Sequence, residues 1–335
     1  MGQVFFIAEI GVNHNGSIEI AKQMIDEAVK AGVDAVKFQS FKSEKLVTKD
    51  APKANYQMKN TGGGSQFDML KKLELTLENH IELKKYCDEK NILFMSTPFD
   101  FESVDLLEKI GVNIYKVSSG ELTNIPLLKY IAKLGKKMIV STGMANLEEV
   151  EVAINAIKSC GNDDIILLQC TSNYPTNYED VNLNSMITMK ELFDLPVGYS
   201  DHTVGIEVSI AAVSMGAKVI EKHFTLDKNM DGPDHIASLD TSELNLLVKC
   251  IRNVEKSLGS KIKKCNASEE NTKLVVRKSI VAKENIKKGE EIGYSNIDFK
   301  RPGNGISPAD IEMVLGKIAI SNIEKDKIIT FNDLE

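Results

Sequence analysis

Residues 4–40 read VFFIAEIGVNHNGSIEIAKQMIDEAVKAGVDAVKFQS, and this stretch decides the fold. It opens with a continuous apolar run, 4–11, and closes with a second one, 34–40. Between them, residues 18–31 repeat apolar side chains at helical spacing, and Gly32 follows as a helix stop. Continuous apolar runs are typical of strands buried on both faces, so the stretch predicts a βαβ unit of a parallel sheet.

The same pattern recurs along the first 260 residues and gives eight candidate strands. They are 4–11, 34–40, 92–99, 114–121, 137–144, 165–172, 197–203 and 219–225. Eight βα units in about 260 residues predict a (β/α)₈ TIM barrel. A doubly wound open sheet also alternates β and α, but no G-x-G-x-x-G motif follows the first run. The long stretch 41–91 is expected to be a mobile excursion over the active face.

The sequence changes character after Gly259. Residues 260–273 are polar and without periodicity, which predicts a linker between a catalytic barrel, 1–259, and a small C-terminal domain, 274–335. The last segment has short β-like runs and turn residues but no long helical pattern. A small β-rich domain with a thin core is therefore expected there.

Composition narrows the functional class. The formal charge of −7 and pI near 5.5 argue against a protein that binds nucleic acid through phosphate contacts. Five scattered cysteines fit a reducing compartment better than a disulfide framework. The N-terminal apolar run is too short for a membrane span or a signal sequence. We therefore expect a soluble cytoplasmic protein without membrane or nucleic-acid partners.

Polar residues follow every candidate strand, where a barrel places its catalytic groups. Small hydroxyls and one cation stand at four of these ends: Thr97, Lys116, Ser119, Ser141 and Ser200. Single serines often only cap helices, but five hydroxyl and amine donors at one barrel end favour a phosphate or carboxylate pocket.

Glu121, at the end of the fourth run, is the general acid/base candidate, because burial beside Lys116 would tune its pKa. Glu9 and Glu221 are its rivals.

Histidine placement indicates a metal. His202 and His223 end adjacent strands, so their imidazoles can converge on one divalent first-row ion acting as a Lewis acid. Four further residues at the strand ends are predicted to line the site: Asn13, His14, Lys37 and His235.

Nine stretches together resemble the sialic acid synthases. They are AEIGVNHNGS (8–17), VKFQSFK (36–42), STPFD (96–100), KVSSGE (116–121), STGMAN (141–146), YSDHTVG (199–205), IEKHFTLDK (220–228), GPDH (232–235) and KRPGNGISP (300–308). The resemblance implies a TIM barrel followed by an antifreeze-like (SAF) domain that reaches over the partner's barrel in a homodimer. It further implies condensation of phosphoenolpyruvate with an N-acetylmannosamine-type sugar, release of phosphate, and a divalent cation, manganese first or else magnesium.

The resemblance also implies roles for individual residues. The metal would be held by His202 and His223, and Glu121 would be the acid/base. Phosphoenolpyruvate would be held by Thr97, Lys116, Ser119, Ser141, Ser200 and either Ser172 or Asn173, since CTSNYP (170–175) departs from the family pattern. The sugar would meet Gln39, Tyr174, Asp234 and, from the partner's small domain, Arg301.

The acceptor sugar stays open at this point. N-acetylmannosamine, giving N-acetylneuraminate, is the first expectation, and legionaminate or pseudaminate synthesis is the alternative. A remoter alternative is an aldolase-like barrel with a Schiff-base lysine, for which Lys37, Lys116 and Lys222 are the candidates.

Overall fold

The computed structural model describes residues 3–335, and within them the chain forms ten strands and twelve α-helices. The strands are β1 Phe5–Gly11, β2 Ala35–Ser40, β3 Leu93–Pro98, β4 Ile114–Val117, β5 Lys137–Ser141, β6 Ile165–Gln169, β7 Val197–Asp201, β8 Val219–His223, β9 Ser279–Ala282 and β10 Ile297–Lys300. The helices are α1 Ile18–Ala31, α2 Ser43–Leu46, α3 Asn55–Thr61, α4 Gln66–Lys71, α5 Leu77–Glu89, α6 Phe101–Ile110, α7 Ile125–Ala132, α8 Leu147–Lys158, α9 Asn184–Phe193, α10 Glu207–Ser214, α11 Thr241–Leu258 and α12 Glu270–Val276.

The first eight strands form one parallel sheet in the order β3-β2-β1-β8-β7-β6-β5-β4. Strands β3 and β4, at its two ends, lie against each other, so the sheet curls into a nearly closed barrel. The predicted TIM barrel is thus confirmed, and the open-sheet alternative is wrong.

The barrel interior is divided into two layers by the alternation of side chains along each strand. Near the amino-terminal ends, an apolar plug fills the centre: Ile7, Ala35, Met95, Ile139, Leu168 and Val219. Two residues further along the same inward-facing rows, the side chains are polar and line a cavity. The plug therefore closes one end of the barrel and leaves the carboxyl end of the strands for chemistry.

The excursion between β2 and β3 is ordered into four helices, α2 to α5. Four of its apolar side chains, Phe41, Met69, Leu70 and Leu73, form a small buried cluster with Val12 of the β1–α1 loop. The excursion therefore covers part of the barrel mouth, as predicted, while its mobility stays a prediction. Within residues 3–335, no helix is both long and apolar enough to cross a membrane.

A second compact unit spans Ser260–Glu335. Strands β9 and β10 pair antiparallel, with Ile297 opposite Ala282 and Lys300 opposite Ser279. Isolated bridges extend the pairing around a core of mainly isoleucine side chains. The segment 260–273, predicted to be an irregular linker, is helical at its end. A 3₁₀ turn spans Ala267–Glu269, and α12 begins at Glu270.

Candidate active site

A cavity of about 480 Å³ opens at the carboxyl end of the barrel. This volume is in the range of small-ligand sites. Fifteen of the residues singled out from the sequence line it: Glu9, Lys37, Gln39, Thr97, Lys116, Ser119, Glu121, Ser141, Ser172, Tyr174, Ser200, His202, Glu221, His223 and Asp234. Because parallel strands end at one rim, residues more than 200 positions apart in the chain meet here.

Two lysines and two glutamates form the floor of the cavity. Lys37 Nζ lies 2.6 Å from Glu9 Oε2 and 3.7 Å from Glu221 Oε2, and Lys116 Nζ lies 3.5 Å from Glu221 Oε1. Burial raises the pKa of Glu9 above its usual range, although Lys37 opposes the shift. Because Lys37 and Lys116 both line the cavity, the floor offers two ammonium groups to an anionic ligand.

A group of hydroxyls lies beside this floor, on the β4–β6 side. Gly143 has no room for a side chain, since a Cβ there would meet Ser172 Oγ at 2.4 Å and Ser119 Oγ at 2.8 Å. The Gly143 amide donates to Ser119 Oγ over 3.0 Å, and Lys116 Nζ donates to Ser141 Oγ over 2.7 Å. We call Ser119, Ser141, Ser172 and Lys116 the anion cradle, because their hydroxyl and ammonium groups converge on one side of the cavity.

His202 and His223 lie side by side, with ring centroids 5.5 Å apart. The Nδ1–H of His202 donates to the Thr171 carbonyl over 2.7 Å, which leaves its Nε2 lone pair free to bind a ligand. Among the described residues, His223 Nδ1 is buried without a hydrogen-bond partner. Burial lowers the pKa of both imidazoles, that of His202 to about 4, and so keeps them neutral.

This donor set fits a divalent cation, since neutral imidazoles with open lone pairs are metal ligands. Residues 3–335 contain no group of three or more His, Cys, Asp or Glu that could hold a metal by themselves.

Glu121 lines the cavity but does not lie in the environment predicted for it. Among the described contacts, Lys116 pairs with Glu221 rather than with Glu121. Burial is what raises the pKa of Glu121, while a 2.6 Å hydrogen bond from Asn124 Nδ2 opposes the shift. The expected tuning by Lys116 is wrong, because the Lys116 side chain points to the barrel axis and Glu121 sits in the turn after β4.

An aromatic platform extends from the imidazoles toward the excursion. The ring centroid of Tyr174 lies 4.1 Å from that of His202, and the ring centroid of Tyr56, on α3, lies 5.0 Å from that of Tyr174. Asn60, also on α3, donates to the Pro233 carbonyl over 2.7 Å, next to Asp234. Tyr56 could not be predicted from the sequence, since only the folded excursion brings it to the site.

Four residues predicted near the site do not line the cavity. Asn13 Nδ2 binds the Phe224 carbonyl and Ser238 Oγ, and His14 Nδ1 accepts from the Gly16 amide. His235 is bonded to Thr225 Oγ1. Asn173 uses its carbonyl to fix the following turn. The predicted site-lining roles of Asn13, His14 and His235 are therefore wrong: their hydrogen bonds hold the loops in place.

Arg301 belongs to the second unit, where its side chain is exposed. The loop after it is packed closely: Ser279 Oγ donates to the Pro302 carbonyl over 2.6 Å and accepts from the Gly305 amide over 2.8 Å. A Cβ on Gly305 would meet Ile328 at 2.2 Å. The loop therefore has a fixed shape that leaves the guanidinium in solvent.

Comparison with known proteins agrees with this geometry. The chain matches the NeuB family over residues 24–263 and the SAF domain over residues 277–335. It is 52% identical to an N,N'-diacetyllegionaminic acid synthase of Campylobacter jejuni, over 98% of this chain and 99% of that one. A Legionella pneumophila protein of the same name is 46% identical, over 99% and 94% of the two chains.

Identity is lower to two relatives named for sialic acid. Human N-acetylneuraminate-9-phosphate synthase is 38% identical, over 97% of this chain and 91% of that one. The crystal structure of an N-acetylneuraminic acid synthetase from Leptospira borgpetersenii superposes with a TM-score of 0.73 at 38% identity, over 81% and 90% of the chains. The chain therefore belongs to the sialic acid synthase (NeuB) family, with a C-terminal SAF domain, and is a phosphoenolpyruvate-dependent synthase of nonulosonic acids, a transferase-type enzyme.

Proposed function

We propose that the chain condenses phosphoenolpyruvate with 2,4-diacetamido-2,4,6-trideoxymannose and water, and releases phosphate and N,N'-diacetyllegionaminate. The observation that carries this choice is the higher identity to the two N,N'-diacetyllegionaminic acid synthases than to the N-acetylneuraminate-9-phosphate synthase. The sequence analysis expected N-acetylmannosamine first and legionaminate synthesis as an alternative. The identities support the alternative better, so N-acetylmannosamine becomes the second candidate acceptor.

Phosphoenolpyruvate carries its phosphate and its carboxylate on the same carbon, C2, so two anion sites must lie close together. The anion cradle supplies hydroxyl donors and the Lys116 ammonium for the phosphate, with Ser172 rather than Asn173 as the contact from β6. Lys37, which donates to Thr97 Oγ1 over 3.1 Å, would hold the carboxylate. Ser200 Oγ donates to Glu221 Oε1 over 3.0 Å, and this bond keeps the Glu221 carboxylate turned toward both lysines.

The reaction joins C3 of phosphoenolpyruvate to the sugar aldehyde, adds water at C2 and then expels phosphate. The cation that develops at C2 would be stabilised by the carboxylate of Glu221, which lines the cavity. Glu121 would take the proton from the attacking water, since its raised pKa makes it a better base than an exposed carboxylate. Glu9 is the alternative base. Gln39, Tyr174 and Asp234 would orient the acceptor sugar.

A divalent cation, manganese or else magnesium, would be held by His202 and His223. When bound, it would act as a Lewis acid on the aldehyde oxygen. The protein keeps both imidazoles neutral by burial and fixes the tautomer of His202 through the Thr171 carbonyl. The enzyme would act as a homodimer in which the partner subunit's Arg301 meets the sugar, since a planar cation can bond acetamido and hydroxyl oxygens.

The proposal is tested by phosphate release in the presence of manganese. The assay compares 2,4-diacetamido-2,4,6-trideoxymannose, its altro isomer and N-acetylmannosamine. We expect the highest kcat/KM with the first sugar. A higher value with N-acetylmannosamine or with the altro isomer would contradict the acceptor, and no release with any of the three would contradict the function.

The structure reduces the candidate lysines for a Schiff base from three to two. Lys222 is fully buried in an ion pair with Asp201 and does not line the cavity, so only Lys37 and Lys116 could form an imine. Because the proposed condensation forms no imine with the protein, borohydride treatment with substrates present should leave the mass of the protein unchanged. A stable adduct on either lysine would support the aldolase-like mechanism instead.

A further inference from the structure

One side of the cavity is apolar. Seven lining side chains, which we call the distal wall, belong to a single hydrophobic cluster: Val12, Leu46, Val47, Met69, Leu70, Leu73 and Phe99. Five of them come from the excursion after β2, and the other two follow β1 and β3. The apolar wall is thus a property of the β1–β3 side of the mouth.

The strand order places the distal wall opposite the anion cradle. The cradle residues lie in or just after β4, β5 and β6, while the wall is centred on β2. In an eight-stranded barrel, β2 and β6 face each other across the axis, and the imidazoles on β7 and β8 lie to one side between them. A sugar whose aldehyde reacts near the imidazoles while phosphoenolpyruvate occupies the cradle must extend its far end toward the wall.

The chemistry of the wall suits a particular kind of sugar end. Among the described residues, none of the cavity-lining side chains between 46 and 73 is charged. The polar ones include Gln57 and Gln66, whose amides are joined by a 3.2 Å hydrogen bond. Side-chain amides can pair with an acetamido group, while the aliphatic side chains offer no partner to a hydroxyl. A hydroxyl buried against the aliphatic side chains would lose its hydrogen bonds to water without gaining others, which costs free energy. A methyl group in the same place would be stabilised by burial.

We propose that the distal wall selects acceptors that carry a methyl group at C6, with Leu46 and Val47 as specificity-determining residues. This inference rests on the proposed function, and it deepens that function by assigning one acceptor position to named side chains. Leu46 and Val47 are half-buried and line the cavity, so they can be changed with little loss of core packing. An apolar surface rejects an added hydroxyl by about 100-fold at most, so we expect a preference of roughly 10- to 100-fold in kcat/KM.

The test uses two pairs of acceptors that differ only at C6. The first pair is 2,4-diacetamido-2,4,6-trideoxymannose and 2,4-diacetamido-2,4-dideoxymannose, and the second is 2-acetamido-2,6-dideoxymannose and N-acetylmannosamine. Phosphate release gives the ratio of kcat/KM within each pair for the wild type, Val47→Thr and Leu46→Gln. Val47→Thr replaces a methyl by a hydroxyl at nearly constant shape, and Leu46→Gln adds an amide at similar length. Both should reduce the preference for the 6-deoxy sugar at least threefold.

Val152→Thr is the matched control, since Val152 lies exposed on α8 and outside the cavity. Its ratio should equal that of the wild type. Turnover without a preference for the 6-deoxy sugar in either pair would overturn the inference and leave the proposed function standing. An unchanged ratio in both wall variants would overturn it as well. No turnover with any of the four sugars would overturn both the function and the inference.

Discussion

The pair Lys222–Asp201 provides the most direct test of how the barrel holds its active-site strands. Lys222 Nζ lies 2.7 Å from Asp201 Oδ2, and both side chains are 0% exposed. The ammonium also donates to the Thr203 carbonyl over 2.8 Å, and Ser209 Oγ donates to Asp201 Oδ2 over 2.6 Å. The pair thus joins β7 to β8 on the outer face, while Ser200 and Glu221, the residues before each partner, face the cavity.

Replacing Lys222 by Met should destabilise the barrel strongly. The change keeps the volume of the side chain but leaves the Asp201 carboxylate buried without its cation. Removing one partner of a buried pair costs about 3–5 kcal/mol. For a unit of this size, that corresponds to a fall in Tm of roughly 6–20 °C, since 1 kcal/mol shifts the midpoint by about 2–4 °C.

The measurement is thermal unfolding followed by circular dichroism at neutral pH. Lys22→Met is the matched control, because Lys22 and Glu82 form an ion pair of nearly the same length, 2.6 Å, at the surface. It should leave the midpoint almost unchanged, since exposed pairs contribute little. Adding Asp201→Asn to Lys222→Met should recover part of the loss, as the amide is neutral and can still accept from Thr203. A Lys222→Met midpoint equal to that of Lys22→Met would refute the reasoning.

Three further predictions concern the site. His223→Ala should abolish phosphate release with manganese present and leave the circular dichroism spectrum unchanged, because only a cavity-facing imidazole is lost; retained turnover would rule out the metal assignment. Asn124→Asp keeps the cap of α7 but replaces the donor to Glu121 by a negative charge, which should raise the pKa of Glu121 further. With Glu121 as base, activity is lost as the pH falls through that pKa, so the acidic limb of the kcat/KM profile should move to higher pH; an unmoved limb would point to Glu9. Arg301→Ala should raise the KM for the sugar about tenfold or more, as a charged hydrogen bond is lost, at unchanged Tm; a lower Tm with unchanged kinetics would reduce the loop to a structural turn.

The sequence was informative wherever local pattern and function coincide. All eight barrel strands were located from apolar runs, because strands covered on both faces cannot tolerate polar residues except where they end. The helix following Ser17 was predicted with its observed bounds, Ile18–Ala31, since its apolar stripe and its terminal glycine agree. The polar residues at the strand ends then pointed to the same rim, since every parallel strand of a barrel ends there.

The sequence was uninformative where a contact depends on side-chain direction or on a distant loop. It paired Glu121 with Lys116, although Lys116 turns toward Glu221 on β8. It placed His14 and His235 in the site from their positions after β1 and β8, although their ring nitrogens are used to fix loops. The presence of the excursion was predicted from its length, but Tyr56 reaches Tyr174 only because α3 packs across the mouth.

The barrel, the small β-rich unit and an anion site at the barrel mouth could thus be predicted from the amino-acid sequence. These predictions follow from periodicity and from the position of polar residues relative to strand ends. The ion pairs on the floor, the burial of both histidines and the apolar wall of the cavity became known only from the folded chain. Those properties depend on burial and on distances between residues far apart in the chain, which no local pattern encodes.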